Sequence, residues 1–181
     1  VQAGICDGFI GNRILKRYRA EAETLVRQGT PIAAIDAAMR GHGFAMGPFE
    51  AQDLGGLDIA FLQREGARAA GQDVPETLGD ILVRAGRKGQ KTGGGWYDYT
   101  PGDRTPKPSE TTASLLADRI TQGPTLTAEE IATRLTGAMA AEGRAILDEG
   151  IALKASDIDL VKVHGYGYPR WRGGPMFAAK G

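Results

Sequence analysis

Asp7-Gly-Phe-Ile-Gly-Asn-Arg-Ile-Leu15 decides how this chain folds, because it marks the start of a long helix. Apolar residues recur along it at the spacing of a single helix face: Ile10, Ile14, Tyr18, Ala22, Leu25 and Val26. We expect Asp7 to be the N-cap, since its carboxylate can accept hydrogen bonds from the free N–H groups of the first turn. Gly8 and Gly11 leave this end of the helix bare, so another backbone or a flat ligand could approach it closely.

Residues 1–99 show helical spacing throughout and no alternating strand pattern. The first helix is expected to run from about Gly8 to Gln28 and to end at Gly29. Thr30-Pro31 then predicts a second helix, with the threonine as N-cap and the proline at the first helical position. The fourth helix, from Asp58 to about Ala70, is marked by the apolar residues Ile59, Phe61 and Leu62.

Composition excludes several classes of function. Lys plus Arg and Asp plus Glu each number 22 in 181 residues, so the formal net charge is zero. A general role on nucleic acid or on a membrane surface needs a basic excess, and no apolar run approaches the ~18 residues of a membrane span. Cys6 is the only cysteine, which fits a reducing compartment and leaves no thiolate cluster for a metal site.

The glycine-rich loop from Gly86 to Tyr99 carries three basic residues and ends in aromatic ones. A nucleoside-triphosphate phosphate loop requires Gly-Lys-[Ser/Thr] after a strand, whereas here Gln90 precedes Lys91 and a helix precedes the loop. Two interpretations remain open on pattern alone. The loop is either a mobile surface turn anchored by Trp96 and Tyr97, or a ligand contact made through Lys91.

Beyond residue 99 the composition shifts, and we expect a linker over 100–126 with a short helix within 111–120. Thr127-Ala-Glu-Glu130 is a capping box that opens a second long helix. Ser156 to Asp159 is then expected to cap a short helix. Because the order of elements in 127–181 echoes that of the first half, the simplest account is an internal duplication.

Three motifs resemble one protein family. Gly8-Phe-Ile-Gly-Asn-Arg13 resembles the G-F-[IV]-x-N-R motif that opens the C-terminal helical domain of the 3-hydroxyacyl-CoA dehydrogenases. Lys91-Thr-Gly-Gly-Gly-Trp-Tyr97 is similar to the K-T-G-x-G-[FW]-Y signature of the same domain. His164-Gly-Tyr-Gly-Tyr-Pro-Arg-Trp-Arg-Gly-Gly-Pro-Met176 resembles the second-unit signature of the multifunctional β-oxidation enzymes in that family.

The resemblance implies an all-α fold of two tandem related helical units, like the C-terminal domain of 6-phosphogluconate dehydrogenase. The units would span 1–99 and 127–181, joined by the linker 100–126, and the second unit would be truncated. The chain starts with Val1 and no signal-peptide pattern, so we expect a segment cut from a longer protein.

The resemblance also implies a function: NAD-dependent oxidation of an (S)-3-hydroxyacyl-CoA in fatty-acid β-oxidation, in a bacterial cytoplasm or a peroxisome. Asn12 would join an active site whose Ser and His–Glu pair lie on an upstream NAD-binding domain, and Lys91 would reach the bound NAD. The expected partners are therefore the acyl-CoA substrate, that NAD domain and a possible enoyl-CoA hydratase/isomerase domain. The isolated chain is expected to be inactive.

A competing interpretation is a purely structural helical module that docks neighbouring domains and has no catalytic residue. The second unit lacks an asparagine at the position of Asn12, so at most one active site is expected. His42 and His164 are expected to serve structure or capping, as are Asp36 and Asp159. The arginines on either side of Trp171 could stack on it or pair with phosphate, or tie their loop to the neighbouring unit; the last of these is favoured.

Overall fold

A computed structural model describes residues 1–179, and that range is all-α. Its β-type pairing is confined to isolated bridges. Lys180 and Gly181, the last residues of the predicted second unit, lie outside the described range. The α-helices are α1 Gly11–Arg27, α2 Ile32–His42, α3 Pro48–Gly55, α4 Asp58–Ala69, α5 Leu78–Arg84, α6 Glu110–Leu116, α7 Ala128–Asp148, α8 Ala155–Gly165 and α9 Pro175–Ala178.

The start of α1 differs from the expectation. The helix begins at Gly11, three residues later than predicted, because Gly8 and Phe9 have left-handed φ angles of 79° and 47° that no α-helix admits. The expected capping role of Asp7 is wrong: its carboxylate pairs with Lys16 at 2.5 Å. The carbonyl of Gly8 instead accepts the N–H groups of Asn12 and Arg13 in the first turn of the helix.

The junction of α1 and α2 confirms one prediction and corrects another. Gly29, with a φ of 94°, ends α1 and donates its N–H to the carbonyl of Val26. Thr30 is buried, and its N–H closes the end of α1 by bonding to Leu25. The predicted capping role of Thr30 is therefore wrong, since Pro31 occupies the N-cap position of α2.

The core lies mainly between α1, α2 and α7. Ile14 and Leu25 of α1 and Leu135 and Ile146 of α7 are all fully buried. Burial of each such side chain stabilises the fold by about 1.5–3 kcal/mol. The capping box at Thr127 is confirmed: its hydroxyl accepts the N–H of Glu130 at 3.2 Å, as the sequence predicted for the start of α7.

The contacts between α1 and α7 are made twice, by matching residues. Arg13 of α1 bonds to Glu142 at 2.5 Å, and Arg134 of α7 bonds to Glu21 at 2.8 Å. The same guanidinium groups continue to matching partners near the helix ends, Arg13 to Glu149 and Arg134 to Gln28. A pairing in which each element contributes the same residue to the other is the signature of an isologous interface.

A buried aspartate repeats in the same manner. Asp36 of α2 accepts the N–H groups of Phe49 and Glu50 at the start of α3, at 2.9 and 3.0 Å. Asp159 of α8 accepts those of Met176 and Phe177 at the start of α9, at 2.7 and 3.1 Å. Each aspartate thus caps the next helix, in line with the expected capping role.

The start of α8 is also corrected. Lys154 holds the N-cap position without a side-chain hydrogen bond, and Ser156 lies inside the first turn. The expectation that Ser156 to Asp159 cap this helix is wrong, because the carboxylate of Asp159 is directed to α9 instead.

The stretch 100–126 contains a packed helix. α6 begins at Glu110 and is capped by Ser109, close to the expected short helix. It packs against α5, and Thr112 donates to the carbonyl of Gly95 at 3.0 Å. This part of the chain is therefore attached to the first half.

Candidate active site at the start of the first helix

Asn12 is exposed on the first turn of α1 and faces the second half of the chain. Its Oδ1 accepts a hydrogen bond from the phenol of Tyr166 at 2.8 Å. Tyr166 follows directly after α8, so residues from both halves meet at this point. Within residues 1–179, no hydrogen bond uses the Asn12 NH₂ group, which leaves two donors available at an exposed position.

Gly11 explains how Tyr166 reaches Asn12. A Cβ atom at position 11 would lie only 2.0 Å from Cε2 of the Tyr166 ring. The bare helix end predicted from the sequence is therefore occupied by the ring of a tyrosine from the same chain. The glycine is needed here for this close approach, since its backbone lies within a regular helix.

Lys162 lies beneath the same tyrosine. Its Nζ atom is 4.4 Å from the centroid of the Tyr166 ring, and the residue is only 2% exposed. Burial, assisted by the charge of Arg19, lowers the pKa of Lys162 to about 8. Lys162, Tyr166 and Asn12 thus form a continuous series of contacts from the interior to the surface.

An open groove runs beside the first turns of α1. It has a volume of about 510 Å³ and is lined mostly by charged residues: Cys6, Asp7, Arg13, Lys16, Arg17, Ala20 and Glu142. Its basic side chains are engaged, since Arg13 pairs with Glu142 and Lys16 with Asp7. This lining differs from the largely apolar pocket that usually encloses a small ligand.

Lys91 occupies a separate position, in the short 3₁₀ turn Gln90–Thr92. Its ammonium is half exposed and pairs with Asp58 at the start of α4, at 2.6 Å. Asn12 and Lys91 therefore have different partners and lie on different elements, and within residues 1–179 no hydrogen bond joins them.

The loop that carries Lys91 is firmly anchored at its aromatic end. Asp53 of α3 accepts the N–H groups of Trp96 and Tyr97 at 2.9 and 3.0 Å, and both aromatic side chains are buried. Gly95 is required because a Cβ there would lie 1.9 Å from the Asp53 carboxylate. Burial raises the pKa of Asp53 to about 6. The turn that carries Lys91 is thus held in place by the hydrogen bonds of Asp53.

The histidines and the arginine-rich loop have structural contacts. Arg172 donates to the carbonyl of His42 at 2.7 Å and stacks on Trp171, so this loop is tied to the first half as expected. Burial and the nearby Arg172 lower the pKa of His42, which favours its neutral form. His164 contacts Arg170 at 3.4 Å. No metal-binding cluster of His, Cys, Asp or Glu occurs in the part of the chain that is described.

Sequence reasoning did not single out Tyr166 and Lys162. One signal was present: Lys162 stands three residues after Asp159, where the first half has Met39 three residues after Asp36. A lysine at a position whose counterpart in the first half is apolar marks an unusual buried charge. The tyrosine belongs to a loop whose contact with α1 depends on the tertiary fold.

The fold of this chain recurs in a solved enzyme structure. It superimposes on the dehydrogenase part of multifunctional enzyme 1 from Caenorhabditis elegans with a TM-score of 0.71, over 93% of this chain and 39% of that one. The sequence identity is 23%, so this likeness concerns the fold. The matched part of that chain therefore shares this all-α fold.

Sequence comparison then gives the family. Residues 8–99 match the profile of the 3-hydroxyacyl-CoA dehydrogenase C-terminal domain. The chain belongs to the 3-hydroxyacyl-CoA dehydrogenase C-terminal domain family, as the three motifs predicted.

Its relatives include peroxisomal bifunctional enzymes and a subunit of a fatty acid oxidation complex. The peroxisomal bifunctional enzyme of Danio rerio is 40% identical over 197 residues, which cover 99% of this chain and 27% of that enzyme. The human peroxisomal bifunctional enzyme is 38% identical over the same shares. The alpha subunit of the Vibrio cholerae fatty acid oxidation complex is 36% identical, over 94% of this chain and 24% of the subunit. The chain thus spans about a quarter of the length of these relatives.

None of the helices in residues 1–179 is both long and apolar enough to cross a lipid bilayer.

Proposed function

We propose that this chain is the helical part of an NAD-dependent (S)-3-hydroxyacyl-CoA dehydrogenase within a multifunctional β-oxidation enzyme. The whole enzyme oxidises an (S)-3-hydroxyacyl-CoA to the 3-oxoacyl-CoA. The observation that carries the proposal is Asn12, an exposed amide on the family motif that is fixed through its oxygen and has both N–H donors available. Such a group is suited to orienting a substrate oxygen or a neighbouring base by hydrogen bonding.

The catalytic base belongs to the upstream domain in this proposal. Within residues 1–179, neither His42 nor His164 is hydrogen-bonded to Asn12, and each contacts an arginine of the loop after α8 instead. Asn12 therefore assists a histidine–glutamate pair supplied by the NAD-binding domain. The isolated chain folds without turning over substrate.

NAD would be held mainly by that upstream domain and would supply the hydride acceptor. Lys91 fits a supporting contact, because it is half exposed on an anchored loop and is paired with the carboxylate of Asp58, whose side chain is 24% exposed. A surface ion pair of this kind is worth only about 0–1 kcal/mol. The ammonium of Lys91 can therefore exchange Asp58 for a phosphate or hydroxyl of the cofactor at little cost.

Neighbouring domains have a surface available for docking. Ile59 and Leu62 on α4 are 59% and 64% exposed, although the sequence placed both among the apolar residues of that helix. We assign this apolar face to contact with the upstream NAD-binding domain, with a hydratase/isomerase domain before it. The relatives are named as peroxisomal enzymes or as part of a bacterial complex, so the expected compartment is a peroxisome or a bacterial cytoplasm.

The first test is NADH oxidation with acetoacetyl-CoA, measured on this chain alone and on an N-terminally extended protein that contains the upstream domain. Activity only in the extended protein supports a half-site completed by the NAD domain. Activity in the chain alone overturns the placement of the base. Inactivity of both, with folded protein shown by circular dichroism, overturns the proposed reaction.

A structural role is the second candidate, because the Asn12–Tyr166 bond also joins the two halves. Asn12→Ala in the extended protein separates the two roles. We expect kcat to fall by about 100-fold with an unchanged melting temperature if Asn12 takes part in proton transfer and alignment. A lower melting temperature with kcat per folded molecule retained would establish the structural role instead.

A further inference from the structure

We propose that Tyr166, supported by Lys162, is a positioning residue for Asn12, so that the second half of the chain contributes to the dehydrogenase site formed by the first. This inference rests on the proposed function of Asn12. On this inference, Tyr166 and Lys162 affect the rate of the reaction through Asn12 and also contribute to the fold.

The hydrogen bond from Tyr166 fixes which end of the Asn12 amide is available. An exposed amide can rotate about its last side-chain bond and present either its oxygen or its nitrogen. The Tyr166 hydroxyl donates to Oδ1 at 2.8 Å, which directs the NH₂ group away from the tyrosine. No other hydrogen bond to the Asn12 side chain occurs among the described residues, so this is the contact that orients the amide.

The position of Tyr166 is itself closely determined. Its ring lies against the backbone of Gly11, where no Cβ atom could be accommodated. Its backbone N–H bonds to the carbonyl of Lys162 at 3.2 Å, which holds the loop against the end of α8. The hydroxyl is therefore delivered to Asn12 by a side chain with little freedom to move.

Lys162 is costly for stability alone. Its ammonium is buried, and within residues 1–179 it forms no ion pair with a carboxylate. A buried charge without a carboxylate partner destabilises a fold, and the related position of the first half is the apolar Met39. The charge does have one favourable contact, with the face of the Tyr166 ring at 4.4 Å.

That contact has a chemical consequence for the phenol. A cation over the ring withdraws electron density from it and makes the hydroxyl a stronger hydrogen-bond donor. The bond to Oδ1 is strengthened, and the amide is polarised so that its N–H groups donate more strongly in turn. Lys162 thus acts on Asn12 through Tyr166.

The test uses Tyr166→Phe in the N-terminally extended protein, assayed with acetoacetyl-CoA and NADH. We expect kcat to fall about tenfold while KM for acetoacetyl-CoA changes by less than about twofold, because orientation matters most in the transition state. Tyr168→Phe is the matched control. It makes the same substitution two residues further along the loop, where the hydroxyl has no hydrogen-bond partner among the described residues.

A double variant shows whether the effect passes through Asn12. In an Asn12→Ala background, Tyr166→Phe should change kcat by less than about twofold. An equal loss in both backgrounds overturns the positioning role, and so does a Tyr166→Phe enzyme with full activity while Asn12→Ala is impaired. If Asn12→Ala itself retains full kcat, the catalytic role of Asn12 fails and the positioning role fails with it.

Two further measurements test the proposal independently of the kcat of Tyr166→Phe. The first uses a variant of Lys162, and the second uses NMR. Lys162→Met should lower kcat several-fold while leaving the melting temperature equal or higher, a combination that a merely structural lysine would not give. In the ¹⁵N-labelled chain, the side-chain NH₂ resonances of Asn12 should shift and become more mobile in Tyr166→Phe and remain unchanged in Tyr168→Phe. Unchanged resonances in Tyr166→Phe would contradict the proposal.

Discussion

At Lys162, the free-energy cost of burying a charge is opposed by a favourable contact with an aromatic ring. Its pKa is lowered to about 8 by burial and by Arg19 of α1, while the cation–π contact with Tyr166 offsets part of that cost. A lysine keeps a pKa near 10.4 in the unfolded chain, so the folded state binds fewer protons at intermediate alkaline pH. Stability contributed by this residue therefore rises with pH in that window.

We expect the stability difference between the wild type and Lys162→Met to depend on pH. At about pH 7 the methionine variant should be as stable or more stable, and the wild type should gain about 1–2 kcal/mol on it by about pH 9.5. Urea denaturation of both proteins at the two pH values measures this, and the titration of all other groups cancels in the difference. A difference that stays constant would mean that the ammonium is not buried in solution.

Helix ends were the elements most easily anticipated when their signals were local. Gly29 and the Thr127 capping box acted as predicted, since a left-handed C-cap and a reciprocal cap depend on a few adjacent residues. Asp7 did not cap α1, because the left-handed backbone at Phe9 delays the start of that helix. Asp159 did not cap α8, because its carboxylate accepts N–H groups at the start of α9. The pattern of residue types near a helix end does not show which contacts the tertiary structure will impose there.

Thr127→Ala tests the cap on α7. Loss of the hydroxyl that accepts the Glu130 N–H should cost about 1 kcal/mol, or about 2–4 °C in melting temperature for a protein of this size. Ser156→Ala serves as the control, because that exposed serine lies inside the first turn of α8 and its hydroxyl makes no hydrogen bond to another described residue. An equal effect of the two changes would argue against the capping box.

At the scale of the whole molecule, the all-α class and the family followed from the sequence, whereas the arrangement of the candidate site did not. Asn12 was found through its motif, and the comparisons leave its role as a prediction. Its contact with Tyr166 depends on how the two halves pack, which no spacing in the sequence expresses. The sequence also did not predict that the apolar face of α4 is exposed, because helical periodicity does not distinguish a face in the core from a face that contacts another domain.

The α4 face gives a prediction for the assembled enzyme. Leu62→Lys should leave the melting temperature of this chain within about 1–2 °C, since the side chain is already mostly in solvent. In the N-terminally extended protein the same change should lower the stability of the assembled domains, and differential scanning calorimetry on both proteins compares the effects. Arg104→Ala, on the exposed stretch before α6, is a control that should alter neither.

The matched pairs Arg13–Glu142 and Arg134–Glu21 lie at an interface between two halves of one chain. This has consequences for how the interface depends on protein concentration and for how the two halves can differ in sequence. Two halves joined by a covalent chain meet at a high effective concentration, so this interface forms however dilute the protein is. Because the two halves belong to one chain, their sequences can also differ from each other. In a symmetric pair of separate copies, every change on one side appears on the other, but here one half carries the amide and the other carries the tyrosine and the lysine. A chain with two matching halves can thus divide between them tasks that identical subunits would have to share.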